Sequence, residues 1–126
     1  MKTFAAVAFA FAAGVLTTLA FARPAVQDPV KLSPQLYKVL LDNDQVRVLE
    51  WRLAPGGKEP MHSHRPGVVY EFGDGEFKVT TPDGKTEISK GEGGTVFWRD
   101  DTTHAIENVG STEGHALAVE LKKVCK

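Results

Sequence analysis

The feature that most constrains the fold is a repeated pattern between residues 37 and 122. Short runs of β-branched, aromatic and aliphatic residues alternate there with Gly, Pro, Asp and Asn. That spacing is typical of an all-β sandwich or barrel, and no segment after residue 35 shows a helical apolar period. About nine strands without covering helices favour two antiparallel sheets or a closed barrel. The predicted strands span residues 37–41, 45–53, 59–64, 68–72, 76–80, 86–89, 95–98, 104–109 and 116–122.

Turn residues and alternation support this division into strands. Residues 81–85 (Thr-Pro-Asp-Gly-Lys) predict a hairpin connection, with proline supplying a fixed φ and glycine a positive φ. Residues 42–44 and 73–75 are further predicted turns. In the last strand Leu117, Val119 and Leu121 share one face, while Ala118 and Glu120 share the other with Lys122. We therefore expect one face of most strands to be a core face.

The N-terminus carries the pattern of a secretory signal peptide. Lys2 precedes an uncharged, alanine-rich run from residue 4 to residue 22 that ends in Ala-Phe-Ala. Cleavage after Ala22 would give a secreted or periplasmic chain of 126 − 22 = 104 residues, without a membrane contact. An uncleaved membrane anchor is the alternative, since the run is long enough to span a bilayer. Residues 23–36 contain three prolines and predict an extended lead-in to a single domain at 37–123.

The charge of the chain argues against a nucleic-acid-binding protein, and its single cysteine excludes a fold held by disulfides within the chain. The predicted mature chain has 15 − 1 = 14 basic and 16 acidic residues, a net charge of −2. It lacks the basic patch that a nucleic-acid-binding protein needs. Cys125 is the only cysteine, so no disulfide forms within one chain, and its thiol is either free or pairs two chains.

Three of the four histidines form a pattern that predicts a metal site. His62 and His64 are two residues apart, so in a strand they project from the same face. His104 follows forty residues later, and imidazole is the commonest metal-binding side chain. The fourth, His115, follows a turn-forming segment and is expected to face solvent.

These residues resemble the two motifs of the cupin family. Residues 55–64 are similar to the first motif, in which a glycine, here Gly56, stands six residues before a His-x-His pair. Gly93, His104 and Asn108 are similar to the second. The resemblance covers residues 37–122. It implies a double-stranded β-helix, a jelly-roll type barrel of about nine short strands, with one divalent transition metal (Zn, Fe, Mn or Cu). It also implies a homodimer, since members of the family often pair.

The chain departs from the motifs at positions that matter for the metal. Members with a glutamate ligand carry it where this chain has Val68 and Val69. Glu71 shares a strand face with Val69 and is a candidate substitute ligand, although a solvent-facing glutamate is the commoner outcome. In the second motif, Arg99 and Asp101 replace the usual proline and glycine.

Two further residues complete the predicted site. Asn108 is expected to support His104 from outside the ligand set, because amides bind soft transition metals poorly. The aromatic residues, Trp51, Phe72, Phe97 and Trp98 among them, are predicted to pack within the sheets, with one or two at the pocket mouth. Among them Tyr70 is expected to offer a hydroxyl group to the pocket.

Three neutral ligands would leave a bound ion with its full charge, which favours a small anionic ligand. Zinc would suit hydrolysis or isomerisation by lowering the pKa of bound water to about 7, whereas iron or copper would suit dioxygen chemistry. The resemblance extends to three-histidine dioxygenases. Three function classes therefore stay open: a metal-dependent enzyme, a non-catalytic binder of a small molecule or metal, and an inert structural barrel.

Overall fold

The computed structural model describes residues 27–123, and they form nine strands in two antiparallel sheets. The predicted all-β class is confirmed, and each predicted strand lies within two residues of an observed one. The strands are β1 (Tyr37–Asp42), β2 (Val46–Leu53), β3 (Lys58–His64), β4 (Gly67–Glu71), β5 (Gly75–Thr80), β6 (Thr86–Gly91), β7 (Val96–Arg99), β8 (Thr102–Asn108) and β9 (Gly114–Leu121).

The sheet order brings residues that are distant in sequence onto neighbouring strands. One sheet has five strands in the order β1-β2-β9-β4-β7, and the other has four in the order β3-β8-β5-β6. Within each sheet, all neighbouring strands are antiparallel. The pairing of β3 with β8 joins the two histidine motifs, and the pairing of β2 with β9 joins the two ends of the domain.

The predicted hairpin at residues 81–85 is confirmed between β5 and β6. The Thr81 N–H donates to the Lys85 carbonyl at 2.9 Å, and Gly84 has a φ of +84°. Only glycine adopts that φ without strain. The turn between β1 and β2 is closed by Asn43, whose side-chain oxygen accepts from the N–H groups of Gln45 and Val46.

The described part of the lead-in, residues 27–36, contains two short helical turns where an extended chain was predicted. A four-residue helix, α1 (Pro29–Leu32), is followed by a turn of 3-10 helix at Pro34–Leu36. The Asp28 carboxylate accepts from the Val30 N–H and Pro29 occupies the first helical position, both favourable at a helix start. The proline count was thus misleading, because proline suits this position.

The predicted signal peptide and Cys125 lie outside the described residues. Within residues 27–123, no helix combines the length and apolar character needed to cross a membrane.

Strand β9 turns its smaller and more polar face inward. Ala116, Ala118 and Glu120 are buried, whereas Leu117 and Val119 face outward and are partly exposed. Val119 belongs to an apolar row that crosses all five strands of the outer face, through Leu41, Val48, Val119, Val68 and Trp98. The interior is consequently only partly filled by apolar side chains. This leaves room for a cavity between the sheets.

Candidate metal centre

Strands β3 and β8 bring the three predicted histidines together. His62 lies directly opposite His104 in the strand pairing, and His64 follows on the same face of β3. All three are buried, with exposed fractions of 0%, 6% and 9% for His62, His64 and His104. One ring nitrogen from each lies within 4.8 Å of those of the other two. Nitrogens about 2.1 Å from one ion are at most about 4.2 Å apart, so at most a small ring movement completes the set.

Hydrogen bonds fix which nitrogen of His62 and His64 carries the proton. His62 Nδ1 lies 2.8 Å from the Pro60 carbonyl oxygen, and His64 Nδ1 lies 2.8 Å from Glu120 Oε1. Both oxygens accept hydrogen bonds, so in each neutral ring Nδ1 donates and Nε2 keeps a free lone pair. This is the tautomer that a metal-binding histidine requires when it binds through Nε2.

The two free lone pairs face each other. His62 Nε2 and His64 Nε2 are 2.9 Å apart, in the range of a hydrogen bond. Two acceptors at that distance repel unless a proton or a cation lies between them. Burial lowers the pKa of His62 to about 4 and also lowers that of His64, so neither ring carries the extra proton at neutral pH. The pair is therefore suited to share a cation.

His104 completes this arrangement. Its Nε2 is buried and has no hydrogen-bond partner among the described residues. Burial lowers the pKa of His104 to about 3, with the two neighbouring histidines lowering it further. A buried ring nitrogen without a partner is unusual in a folded protein and indicates a ligand. The residues present thus fit a divalent transition metal.

Three charged groups, of which Glu120 is fully buried, are linked in a row behind His64. Glu120 Oε2 accepts from Arg47 at 3.0 and 2.8 Å, and Arg47 also contacts Asp28 at 2.8 Å. Burial raises the pKa of Glu120, but the hydrogen bonds from His64 and Arg47 outweigh it and lower that pKa overall. The ionised carboxylate therefore holds the His64 ring in its orientation, as outer carboxylates do in metal sites.

A second buried carboxylate, Glu59, lies beside His62. Its two oxygens accept from the Tyr37 hydroxyl at 2.7 Å and from Trp51 Nε1 at 3.0 Å, and Oε1 is 3.5 Å from His62 Nδ1. Burial raises the pKa of Glu59 to about 6, although both hydrogen bonds oppose the shift. Glu59 and Glu120 thus place negative charge beside the histidine ligands. The resemblance to the two motifs did not predict this charge.

A cavity of about 340 Å³ adjoins the histidines, and all nine strands contribute to its wall. Its size is that of a small-molecule site. His64, His104, Trp51 and Phe97 line it, together with the ionisable residues Tyr37, Glu59, Glu71, Glu87 and Arg99. Arg99 is the one cationic lysine or arginine side chain in this wall, within the part of the chain that the structure describes.

The remaining predicted site residues lie away from the three ligand nitrogens. Glu71 is half-buried in the cavity wall, but it does not belong to the cluster of nitrogens within 4.8 Å. Tyr70 lies between Val69 and Glu71 in β4, so its side chain points to the opposite face of the sheet. It does not line the cavity and packs against Phe72. The tyrosine hydroxyl at the cavity comes instead from Tyr37.

Asn108 holds a strand end. Its side-chain nitrogen donates to the carbonyl oxygens of Leu53 and Thr112, and its oxygen accepts from the Gly110 N–H. These contacts tie the β2–β3 and β8–β9 loops together, so any support for His104 acts through β8. His115 is partly buried and bonds Glu50 at 2.7 Å.

Sequence reasoning missed Glu59, Glu120, Arg47 and Arg99 as residues of the site. Charged residues on strands usually face solvent, and nothing in the local pattern contradicts that expectation. One signal was available for Glu120, because the residues on its face of β9 are small alanines. Its partner Arg47 follows from the register of β2 against β9, which is not readable from sequence.

Comparison with known proteins identifies relatives of the same fold. No family model matches the chain. The β-alanine degradation protein BauB of Pseudomonas aeruginosa is 32% identical over 85 residues, covering 67% of this chain and 90% of that protein. A cupin domain from Bordetella pertussis is 31% identical, with a TM-score of 0.63 over 69% of this chain and 92% of the other.

A more distant structure shows the same architecture. An RmlC-like cupin with a double-stranded β-helix fold, from Methanocaldococcus jannaschii, has a TM-score of 0.54 at 17% identity, covering 86% of this chain and 93% of that one. It supports the fold alone. The two matches above 30% identity, together with the shared architecture, establish that the chain belongs to the cupin superfamily.

Proposed function

We propose that this protein is an exported, metal-dependent cupin that binds one divalent transition metal through His62, His64 and His104 and acts on a small anionic molecule. The export part of the proposal is supported by the signal-peptide pattern of residues 2–22. The metal part is supported by the geometry of the three rings.

One observation carries the metal assignment. Nε2 of His62 and Nε2 of His64 direct free lone pairs at each other over 2.9 Å, because their Nδ1 atoms donate to Pro60 and Glu120. Without a cation this arrangement is repulsive, and burial disfavours a proton there. When bound, the metal would supply Lewis acidity or redox chemistry according to its identity.

The protein's own residues support an anionic substrate. The three ligands are neutral, so the charge of the ion is offset only from behind them, by Glu59 and Glu120, and Arg99 provides a cationic group in the cavity wall for a carboxylate. The apolar and aromatic wall, with Trp51 and Phe97, excludes part of the water that would screen these charges. A small carboxylate fits this description.

The name of one relative agrees with a substrate that carries a carboxylate. The Pseudomonas protein is named for β-alanine degradation, and β-alanine carries a carboxylate together with an ammonium group. We include β-alanine in the substrates of first choice for this chain.

Metal analysis of the purified protein tests the metal assignment. We expect about one equivalent of a transition metal in the wild type and loss of most of it in His104→Ala, since two ligands hold the ion poorly. His115→Ala is the matched control, because His115 lies outside the ligand cluster and bonds Glu50. Equal, near-zero metal in all three proteins, even after incubation with Zn²⁺, Fe²⁺, Mn²⁺ and Cu²⁺, would refute it.

A non-catalytic binding protein is the second candidate. Glu59 and Glu120, the carboxylates beside the ligands, already accept hydrogen bonds on both oxygens. These hydrogen bonds give both carboxylates a role in holding their neighbours in place, which favours binding without proton transfer by either one. Oxygen-consumption and lactonase or esterase assays decide between the two candidates: activity that disappears in His104→Ala supports the enzyme, and ligand binding without any turnover supports the binder.

A further inference from the structure

Two opposite charges in the cavity wall, Arg99 and Glu71, have no hydrogen-bond partner among the described residues. Arg99 makes no hydrogen bond to any described residue, and its Nε is buried. Its nearest ion-pair contact is Glu120 Oε1, 3.6 Å from Nη2, and that carboxylate is already occupied by Arg47 and His64. A guanidinium has five N–H donors, and buried donors are nearly always satisfied.

Glu71 presents the complementary case. Its carboxylate lines the same cavity, is half-buried, and forms no hydrogen bond or ion pair with the described residues. Arg99 influences Glu71 only through space, so the two charges face one cavity without contacting each other. Opposite charges that burial brings close and that still do not pair leave room for a molecule between them.

We propose that Arg99 and Glu71 form a recognition pair for a small zwitterion, in which Arg99 binds the carboxylate and Glu71 binds the ammonium group of an amino acid. This inference rests on the proposed function for its setting, and it names the substrate class of that site. Arginine binds carboxylates through two parallel hydrogen bonds, and a buried carboxylate is the natural acceptor for an ammonium ion.

Arg47, the other largely buried arginine near the cavity, shows how an arginine with a structural role is bonded in this fold. Arg47 directs three hydrogen bonds at Glu120 and Asp28. Arg99 lines a cavity of about 340 Å³ and directs no hydrogen bond at residues 27–123. The cavity wall also fits a short amino acid, because Val69, Ala116 and Ala118 provide an apolar surface for its methylene groups.

Calorimetric titration with matched probes tests the pair. The probes are glycine, β-alanine and 4-aminobutanoate, with butanoate as a β-alanine analogue that has methyl in place of ammonium, and propylamine as the analogue without carboxylate. We expect one amino acid to bind at least about tenfold more tightly than butanoate, the size of one charge-assisted hydrogen bond. Failure of all three amino acids to bind overturns the proposal.

Variants separate the two roles. Arg99→Gln is expected to weaken both the amino acid and butanoate by about tenfold or more, whereas Glu71→Gln weakens the amino acid alone. Arg99→Lys keeps the charge without the planar fork and serves where Arg99→Gln does not fold. Arg52→Gln is the control, since Arg52 is exposed and pairs with Glu50 and Glu113. Wild-type binding by Arg99→Gln or Glu71→Gln contradicts the assignment.

The metal content of the same samples distinguishes this inference from the proposed function. Binding that depends on Arg99 and Glu71 in a preparation that takes up no metal supports the pair and refutes the metal-dependent function. Stoichiometric metal without amino-acid binding refutes the pair alone. Loss of metal in Glu71→Gln would make Glu71 a ligand, as the sequence suggested, and would overturn its role toward an ammonium group.

Discussion

The polar groups around the cavity fall into two halves that differ in how they are partnered. The paired half, from β1, β2, β3 and β9, consists of Glu59, Glu120 and Arg47 with their donors, and both oxygens of each carboxylate accept hydrogen bonds. The open half, from β4, β7 and β8, consists of Glu71, Arg99 and His104, for which no hydrogen bond links these groups to the described residues. Charged groups with hydrogen-bond partners in the protein stabilise the fold, whereas those without such partners indicate what the protein binds.

The largest expected effect comes from breaking the paired half. Glu120→Leu leaves His64 Nδ1 without an acceptor and Arg47 with Asp28 alone, and removing one member of a buried ion pair costs roughly 3–5 kcal/mol. We expect urea unfolding to show a loss of that size. Glu107→Leu is the matched control, because Glu107 pairs with Lys58 and Lys78 on the outer surface and should cost less than about 1 kcal/mol. Equal losses would contradict the division.

A loss of stability is also expected when the pH of the metal-free protein is lowered. The folded-state pKa values of His62 and His104, about 4 and about 3, and that of His64 lie below the ordinary value of 6.5. The unfolded chain therefore binds more protons below pH 6.5, and stability falls as the pH falls from 6.5 toward 4. Glu59, with a raised pKa of about 6, acts in the opposite direction, but it is one group against three.

The measurement is the urea midpoint of chelator-treated protein at pH 7.5, 6 and 5. We expect the midpoint to decrease through this series, and His104→Gln to decrease less. A midpoint that is constant or rises toward pH 5 would show that the three rings are not buried as neutral groups.

The smallest expected effect, of opposite sign, comes from the open half. Arg99→Met removes a mostly buried charge that has no hydrogen-bond acceptor among the described residues, so we expect unfolding free energy to stay constant or to rise by up to about 1 kcal/mol. Thermal melting without ligand measures it. A loss comparable with that of Glu120→Leu would place Arg99 in the paired half and remove the basis for a binding role.

The sequence was most informative where local chemistry decides the structure. All nine strands followed from alternation and turn residues, and the histidine cluster followed from the spacing of His62, His64 and His104. The inward face of β9 did not, because Leu117 and Val119 would ordinarily be assigned to a core. In this fold the interior holds a cavity and charged groups, so the apolar side chains of that strand face outward.

The charged network was beyond sequence reasoning for a related reason. The burial of Glu59 depends on Tyr37 and Trp51, which reach it from two other strands. Arg99 stands where the motif usually has proline, and this replacement by itself did not indicate that the side chain lines the cavity. The partners of a buried charge are set by sheet register, which no local pattern contains.

The contact between Asp28 and Arg47 links the segment before β1 to the imidazole of His64, through Arg47 and Glu120. Asp28 lies nine residues before the first strand, upstream of a boundary drawn at residue 37. A version trimmed to its strands would keep every ligand and still lose the outermost support of one of them. Cleavage at the position predicted after Ala22 would keep Asp28 in the chain, whereas a cut beyond Asp28 would remove this support of His64 and weaken metal retention.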